Sequence, residues 1–398
     1  MAEIPWLTII GLGEDGPDGL PAASRHALEA AEFVMGPPRH LALLPGLSAE
    51  PVEWPVPFAD GLPRLLALRG YKVVVLASGD PFWFGAGRVI ARHLAPGEWR
   101  ALPGPSVFSW AAARLGWPLE RTACVGLHAA PLERVRPHLV PGQRVIVLLR
   151  DGAAVADLAA YMCALGFGDS PLWVMEALGG PRERLRETTA ATLNFKDILH
   201  PVCVGLECAG GAGLPCASGW PDALFDHDGQ ITKRPMRALT LSALAPRAGE
   251  ALWDIGGGSG SVGIEWLACH PANSATAVEP DPIRAARIVE NARALGQDRL
   301  RVIEGRAPEA LEGLDLPDAV FIGGGVSQEM LDWLWGRLSS GTRLVANGVT
   351  LEAEALLARG QAERGGHLLR VDLAEAAPLG RKRGWRAAFP VVQWSVTL

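Results

Sequence analysis

Apolar residues arrive along this chain in short blocks, separated by stretches where they recur every three or four positions. The blocks at 5–11, 33–36, 72–77, 144–149, 171–177, 184–188 and 201–206 predict strands, several of them apolar enough to be buried on both faces. Between them, Ala22–Leu28, residues 60–70, Arg88–Leu94 and Ala153–Leu165 carry helical spacing. Pro21 suits the first position of the first of these helices, and Gly166 a C-terminal stop for the last. The alternation lapses at 209–221 (Ala-Gly-Gly-Ala-Gly-Leu-Pro-Cys-Ala-Ser-Gly-Trp-Pro), whose glycine and proline density predicts a linker. It then resumes with a helix at Met236–Leu244 and an apolar block at 251–253. A helix from Ser261 and strands at Ser274–Glu279, 301–304, 317–322 and 341–347 follow, and 384–398 is expected to close the sheet. Strands alternating with helices throughout predict an α/β fold.

A chain of 398 residues exceeds one ordinary core, so more than one domain is expected. The divisions predicted are 1–208, itself two subdomains of about 1–115 and 119–208, then the linker, then 222–398. Net charge of −6 argues against a broad nucleic-acid surface. No uninterrupted apolar run approaches the length of a membrane span, and the start lacks a secretory pattern. A cytoplasmic protein is expected. The six cysteines and nine histidines show no metal-ligand spacing, so no metal is expected.

Candidate chemistry sits where strands end. Ala251-Leu252-Trp253-Asp254-Ile255-Gly256-Gly257-Gly258-Ser259-Gly260 reads as strand, glycine turn and helix start, with glycines two apart and an acid two residues before the first. The dinucleotide fingerprint wants a glycine at position 261, which is serine. Asp254 disfavours a pyrophosphate and suits a cationic or hydroxyl-bearing ligand. Glu279 ends the next strand, at the spacing of a ribose-binding carboxylate. Turns of small residues follow the two strands after it, at Gly305-Arg306-Ala307 and Gly323-Gly324-Gly325. The glycine turn resembles the first motif of Rossmann-type, class I methyltransferases that use S-adenosylmethionine. With Thr232-Lys233, Glu304–Glu309 and the Gly323 turn, residues 222–398 resemble the methyltransferase domain that decarboxylates precorrins.

In the first half, Gly11-Leu12-Gly13-Glu14-Asp15-Gly16 matches a dinucleotide pattern literally. Pro17, Gly19 and Pro21 deny it the helix N-terminus a phosphate would need. Together with Ser78-Gly79-Asp80-Pro81 and Pro103-Gly104-Pro105-Ser106, in that order, it resembles the tetrapyrrole (corrin) methylase family over about residues 4–208. That family binds S-adenosylmethionine in a cleft between two α/β subdomains.

Joined in one chain, the two likenesses imply a bifunctional enzyme with two S-adenosylmethionine sites, one per domain. Its substrate would be a corrin precursor, precorrin-6B, methylated at carbons 5 and 15 and decarboxylated at the ring-C acetate. The first site would draw on Gly11, Gly13, Ser78, Gly79, Asp80, Pro81, Pro103, Gly104 and Ser106, with Asp80 the leading polar catalytic candidate and Asp15 next. The second would draw on Thr232, Asp254, Gly256, Gly257, Gly258, Gly260, Glu279, Gly305, Ala307, Gly323 and Gly324, with Arg306 as its catalytic candidate. Glu279 would hold the ribose hydroxyls, Asp254 the amino-acid end of the cofactor or its water shell, and the Gly305 turn its adenine. A substrate rich in carboxylates calls for arginines and lysines. Candidates are Lys233, Arg237, Arg306 and the cluster Arg381, Lys382, Arg383 and Arg386, expected in a loop. Arg182, Arg184 and Arg186 are expected to share one face of an edge strand, either solvated or touching substrate carboxylates. The family also implies a homo-oligomer. Alternatives are an N-terminal half that only holds substrate, an RNA or protein methyltransferase, and a non-catalytic binding module.

Overall fold

A computed structural model describes residues 5–398, which pack as two units. The first comprises residues through Leu132 together with His138–Ala212; the second comprises Gly213–Leu398 with the short segment Glu133–Pro137.

The first unit holds two five-stranded sheets. One is built from β1 (Leu7–Leu12), β2 (Phe33–Gly36), β3 (Glu50–Glu53), β4 (Val73–Ser78) and β5 (Trp99–Leu102), in the order β3-β2-β4-β1-β5. All its pairings are parallel. β1 lies between β4 and β5, so every one of its residues is buried. That is why its sequence is apolar on both faces rather than alternating, with Thr8 its one polar side chain. The second sheet is built from β6 (Thr122–Gly126), β7 (Arg144–Leu149), β8 (Pro171–Glu176), β9 (Arg184–Thr189) and β10 (Val202–Glu207), in the order β6-β7-β10-β8-β9. Only β6 and β7 are parallel; the other pairings are antiparallel. The helix Val107–Leu115 starts on Ser106, whose hydroxyl accepts the Ser109 N–H, and stops on Gly116 at φ 65°.

The second unit contains β11 (Ala251–Ile255), β12 (Ser274–Glu279), β13 (Arg301–Glu304), β14 (Ala319–Ile322), β15 (Arg343–Gly348), β16 (His367–Val371), β17 (Ala374–Leu379), β18 (Lys382–Ala387) and β19 (Val391–Thr397). Seven strands form one sheet in the order β13-β12-β11-β14-β15-β19-β16, and β17 and β18 form a separate two-stranded ribbon. The strands from β13 to β15 are parallel, while β19 runs antiparallel to β15 and β16. Parallel order with β11 at the centre places the carboxyl ends of β11, β12, β13 and β14 along one edge.

Two expectations are corrected here. Residues 384–387 do not join the closing strand; β19 alone enters the sheet, because Val392, Trp394 and Val396 alternate and are buried. Lys-Arg-Gly-Trp-Arg-Ala has no apolar face to bury, and Trp385 is 79% exposed. The basic cluster 381–386 therefore lies in the turn and second strand of a ribbon, not in a loop.

Candidate active sites

In the first unit, neighbouring strands β4, β1 and β5 end side by side, and each is followed by one of the three turns singled out in the sequence. Gly11 pairs with Ala77 and Leu12 with Ser78. The Gly79 N–H donates to the Leu12 carbonyl, and the Gly104 N–H donates to the Gly79 carbonyl, both at 3.0 Å. A Cβ on Gly11 would stand 1.7 Å from the Gly79 oxygen and 2.5 Å from the Gly104 nitrogen. Gly79 adopts φ 53°, the left-handed region. The three backbones touch, and only glycine permits it.

The polar candidates are mostly held by their own turns. Asp80, half-buried, accepts the Phe82 N–H through Oδ1 at 2.8 Å. The Asp15 carboxylate fills the space against Gly13 and Gly19. Ser106 is buried and occupied as a helix cap, whereas Pro103 is exposed beside Gly104. Pro81 ends the motif, and its carbonyl accepts the Gly87 N–H. Ser78 alone reaches across the sheet. Its Oγ lies 3.0 Å from both Arg39 Nη2 and His40 Nε2, in the short helix Pro38–Ala42 after β2. Sequence reading missed Arg39 and His40; the available signal was Pro37-Pro38-Arg39-His40 directly after a strand. Burial first, then the Arg39 charge, lowers the His40 pKa to about 4. His40 is therefore neutral at pH 7 and accepts from Arg39, which has no lone pair to offer.

In the second unit, the glycine turn after β11 meets the ends of β12 and β14. Gly256 and Gly257 donate to the Val278 carbonyl, and Gly258 donates to Glu279 Oε2 at 2.8 Å. Gly256, Gly258 and Gly260 all take positive φ. A Cβ on Gly256 would stand 3.1 Å from Gly324, and one on Gly258 would stand 3.0 Å from the Gln230 carbonyl. Gly323 donates to the Ile255 carbonyl and Gly305 to the Glu279 carbonyl. The four segments form one bare-backbone trough with a carboxylate, Glu279, in its floor. Such a surface fits a ligand with a cationic end and a diol, not a pyrophosphate. Thr232 lies just beyond Gln230, with Ala307 following the Gly305 turn and half-buried.

Asp254 lies on β11 just before the glycine turn and is closed off from solvent. It is 1% exposed, accepts the Gly263 N–H through Oδ2 at 2.9 Å, and has no partner for Oδ1. Burial, with a smaller push from Glu279, raises its pKa to about 7. Between the ordinary carboxyl value near ~4 and about 7 the folded chain retains a proton that the unfolded chain has lost. Stability therefore falls as pH rises through that window. Asp254→Asn should flatten the dependence of unfolding free energy on pH across that window, by a few kcal/mol in total. Denaturant titrations at several pH values check this; a slope equal to wild type would overturn it.

The basic candidates divide sharply. Arg306 is exposed at the trough's edge, and Lys233 is exposed within 4.0 Å of Asp222. Arg237 is not available to a substrate: it is wholly buried, bonding Glu265, Asp222 and the carbonyls of Trp220 and Thr232. Arg184 and Arg186 both bind Glu176 and Asp197, while Arg182, outside the strand, binds Glu14. Among the described residues no cluster of three or more His, Cys, Asp or Glu is placed to hold a metal ion, and no helix is long and apolar enough to cross a membrane.

Residues 6–194 match the family of tetrapyrrole (corrin/porphyrin) methylases, and residues 223–398 match the precorrin methyltransferase domain. A Sinorhizobium protein named precorrin-6Y C(5,15)-methyltransferase [decarboxylating] is 51% identical over 99% of this chain and 96% of its own length. Two Salmonella typhimurium proteins match in part. A cobalt-precorrin-6B C(15)-methyltransferase (decarboxylating) is 36% identical over 31% of this chain and 64% of its own. A cobalt-precorrin-7 C(5)-methyltransferase is 26% identical over 50% of this chain and 98% of its own. The solved C-terminal domain of a precorrin-6Y C5,15-methyltransferase from Rhodobacter capsulatus is 54% identical, covering 46% of this chain and all of that one, with a TM-score of 0.45.

Proposed function

The chain belongs to the decarboxylating precorrin-6Y C(5,15)-methyltransferases, and from that premise we propose that each of its two units carries its own S-adenosylmethionine site and its own methyl transfer. The observation that carries this reading is the presence, in each unit separately, of strand-end turns that converge through glycine backbone. A substrate-holding first unit would have no need of the Gly11–Gly79–Gly104 contact.

The second unit would methylate carbon 15 of precorrin-6B and release the ring-C acetate as CO2; the first would methylate carbon 5. The names of the two partial relatives support that assignment and order, since the C(15) enzyme is named for a 6B-level substrate and the C(5) enzyme for a 7-level one. Bound S-adenosylmethionine supplies a methyl group already activated as a sulfonium. What remains for the chain is to position, to exclude water and to hold charge. In the second unit Glu279 would take the ribose hydroxyls, Gly256, Gly257, Gly258 and Gly260 with Gly323 and Gly324 would let the ligand lie against backbone, and Gly305 and Ala307 would face adenine. Thr232 would border the ligand, and Arg306 would face a substrate carboxylate. Asp254 would act from beneath, fixing the start of the helix Ser261–Cys269 through Gly263. In the first unit Gly11, Gly13, Gly79, Pro81, Pro103, Gly104 and Ser106 would shape the cofactor cleft, with Ser78 and Asp80 its polar groups. In the decarboxylation, the electron pair of the breaking C–C bond enters the conjugated imines of the ring, and a proton then quenches the carbon. The reading includes self-association, supported by the exposed Leu379 and Trp385 on the β17–β18 ribbon and the exposed Phe389 just after it.

Glu279→Ala in the full chain tests the second site. The KM for S-adenosylmethionine in methylation at carbon 15 should rise about tenfold or more, the loss of charge-assisted hydrogen bonds, while methylation of the carbon-5 substrate proceeds at the wild-type rate. An unchanged KM would sink the assignment of Glu279.

A further inference from the structure

Glu14, Arg39 and Arg182 form a charged cluster inside the first unit that has no part in the roles assigned so far. Glu14 follows β1, and its side chain is only 8% exposed. Arg39 donates Nη1 to one of its oxygens, and Arg182 donates Nη2 to the other at 3.1 Å. The contact is built from both sheets: Arg39 lies after β2 and Arg182 just before β9, and a Cβ on Gly180 would stand 2.6 Å from Glu14 Cβ. Two guanidinium groups thus share one carboxylate, and His40 beside them is neutral. The cluster carries a net positive charge. Burial lowers the Arg39 pKa, with Glu14 opposing the shift and the Arg182 charge adding a smaller push in the same direction as burial.

Neither guanidinium is used up. Arg182 is 57% exposed, and the bond to Glu14 takes one of its five N–H donors. Arg39 commits Nη2 to Ser78, the residue directly before Gly79, and to His40, and one Nη1 N–H to Glu14, three of its five donors. Through Ser78 the cluster borders the first unit's glycine convergence, and with 30% of the Arg39 side chain and 57% of the Arg182 side chain exposed, a second anion could lie against both arginines. Planar, paired N–H donors suit a carboxylate.

We propose that Arg39 and Arg182 form a receptor for a ligand carboxylate in the carbon-5 site, with Glu14 as the fixed counter-charge that holds both guanidinium groups in place. The inference rests on the two-site reading. The carboxylate belongs either to a side chain of the tetrapyrrole or to the amino-acid end of S-adenosylmethionine. Arg182 is exposed enough to be replaced without unfolding the unit.

The test is steady-state kinetics of carbon-5 methylation by the full chain carrying Arg182→Gln or Arg182→Lys, varying each substrate in turn. Arg182→Gln should raise one KM by about tenfold to a hundredfold, with kcat little changed and the melting temperature at wild type. Arg182→Lys should recover part of it, since it keeps the charge and loses the fork. A rise confined to the tetrapyrrole identifies its side-chain carboxylate as the ligand group; a rise confined to S-adenosylmethionine identifies the cofactor's. Wild-type KM values for both overturn the receptor. If wild type itself transfers no methyl to carbon 5, the two-site reading fails instead, and the carbon-15 reaction of each variant is the internal control.

Discussion

Gly11→Ala should stop methylation at carbon 5 and leave methylation at carbon 15 and loss of CO2 intact, so that a singly methylated, decarboxylated product accumulates. The added Cβ would sit 1.7 Å from the Gly79 carbonyl oxygen, a distance no relaxation of a side chain can relieve because both partners are backbone. Gly79 cannot simply withdraw. Its N–H is held by Leu12, its carbonyl holds the Gly104 N–H, and β1 is buried between β4 and β5. Either the turn at 78–81 is driven outward or β1 shifts against its neighbours, at about 1–3 kcal/mol of overpacking. Displacing groups that align a methyl transfer by about 1 Å costs on the order of a hundredfold in rate. Product mass from the full chain, supplied with precorrin-6B and S-adenosylmethionine, reads the outcome directly. Doubly methylated product formed at the wild-type rate would show that the three turns are not the carbon-5 site.

The turns were legible because their chemistry is written locally. Glycine, proline and aspartate at the end of an apolar block mark a place where backbone must pass close to something, and parallel order carries those places to one edge. Strands β2, β7 and β12 have the limits the hydrophobic pattern implied. What the sequence could not show was where a charge goes. Arg39 meets Glu14 from 25 positions away and Ser78 from 39, and no period or spacing announces such a contact. The alternation of Arg182, Arg184 and Arg186 suggested a common face, yet a strand boundary separates the first from the others and each group has found its own acids. Arg237 is the clearest case. Its position at the start of a helix is where exposed charges are common, and only the packing of the incoming chain buries it.

That burial sets the largest expected stability effect. Arg237→Ala should destabilise the second unit by about 3–5 kcal/mol, the cost of removing one partner from a buried charge network. The guanidinium holds Glu265 at 2.5 Å through Nε, Asp222 at 3.1 Å through Nη1, and the carbonyls of Trp220 and Thr232. Its face packs 4.8 Å from the Phe225 ring centre. Glu265 in turn accepts the N–H groups of Gly219 and Trp220. Alanine would leave a buried carboxylate without its cation and two carbonyls without donors, because no side chain remains to reach them. Arg237→Ala with Glu265→Gln should recover part of the loss: the amide oxygen still accepts one backbone N–H, and the uncompensated charge is gone. The network also has a functional reach, since it ties 219–232 to the helix Arg234–Leu244 and so lays the Gln230 carbonyl beside Gly258. In the folded fraction, Arg237→Ala should therefore also raise the S-adenosylmethionine KM of the carbon-15 reaction. Denaturant unfolding followed through the tryptophans of the second unit measures the first effect, and kinetics below the transition measures the second. A loss of less than about 1 kcal/mol would place this network with ion pairs that contribute little, and the entry to the second unit would then be held by its apolar contacts alone.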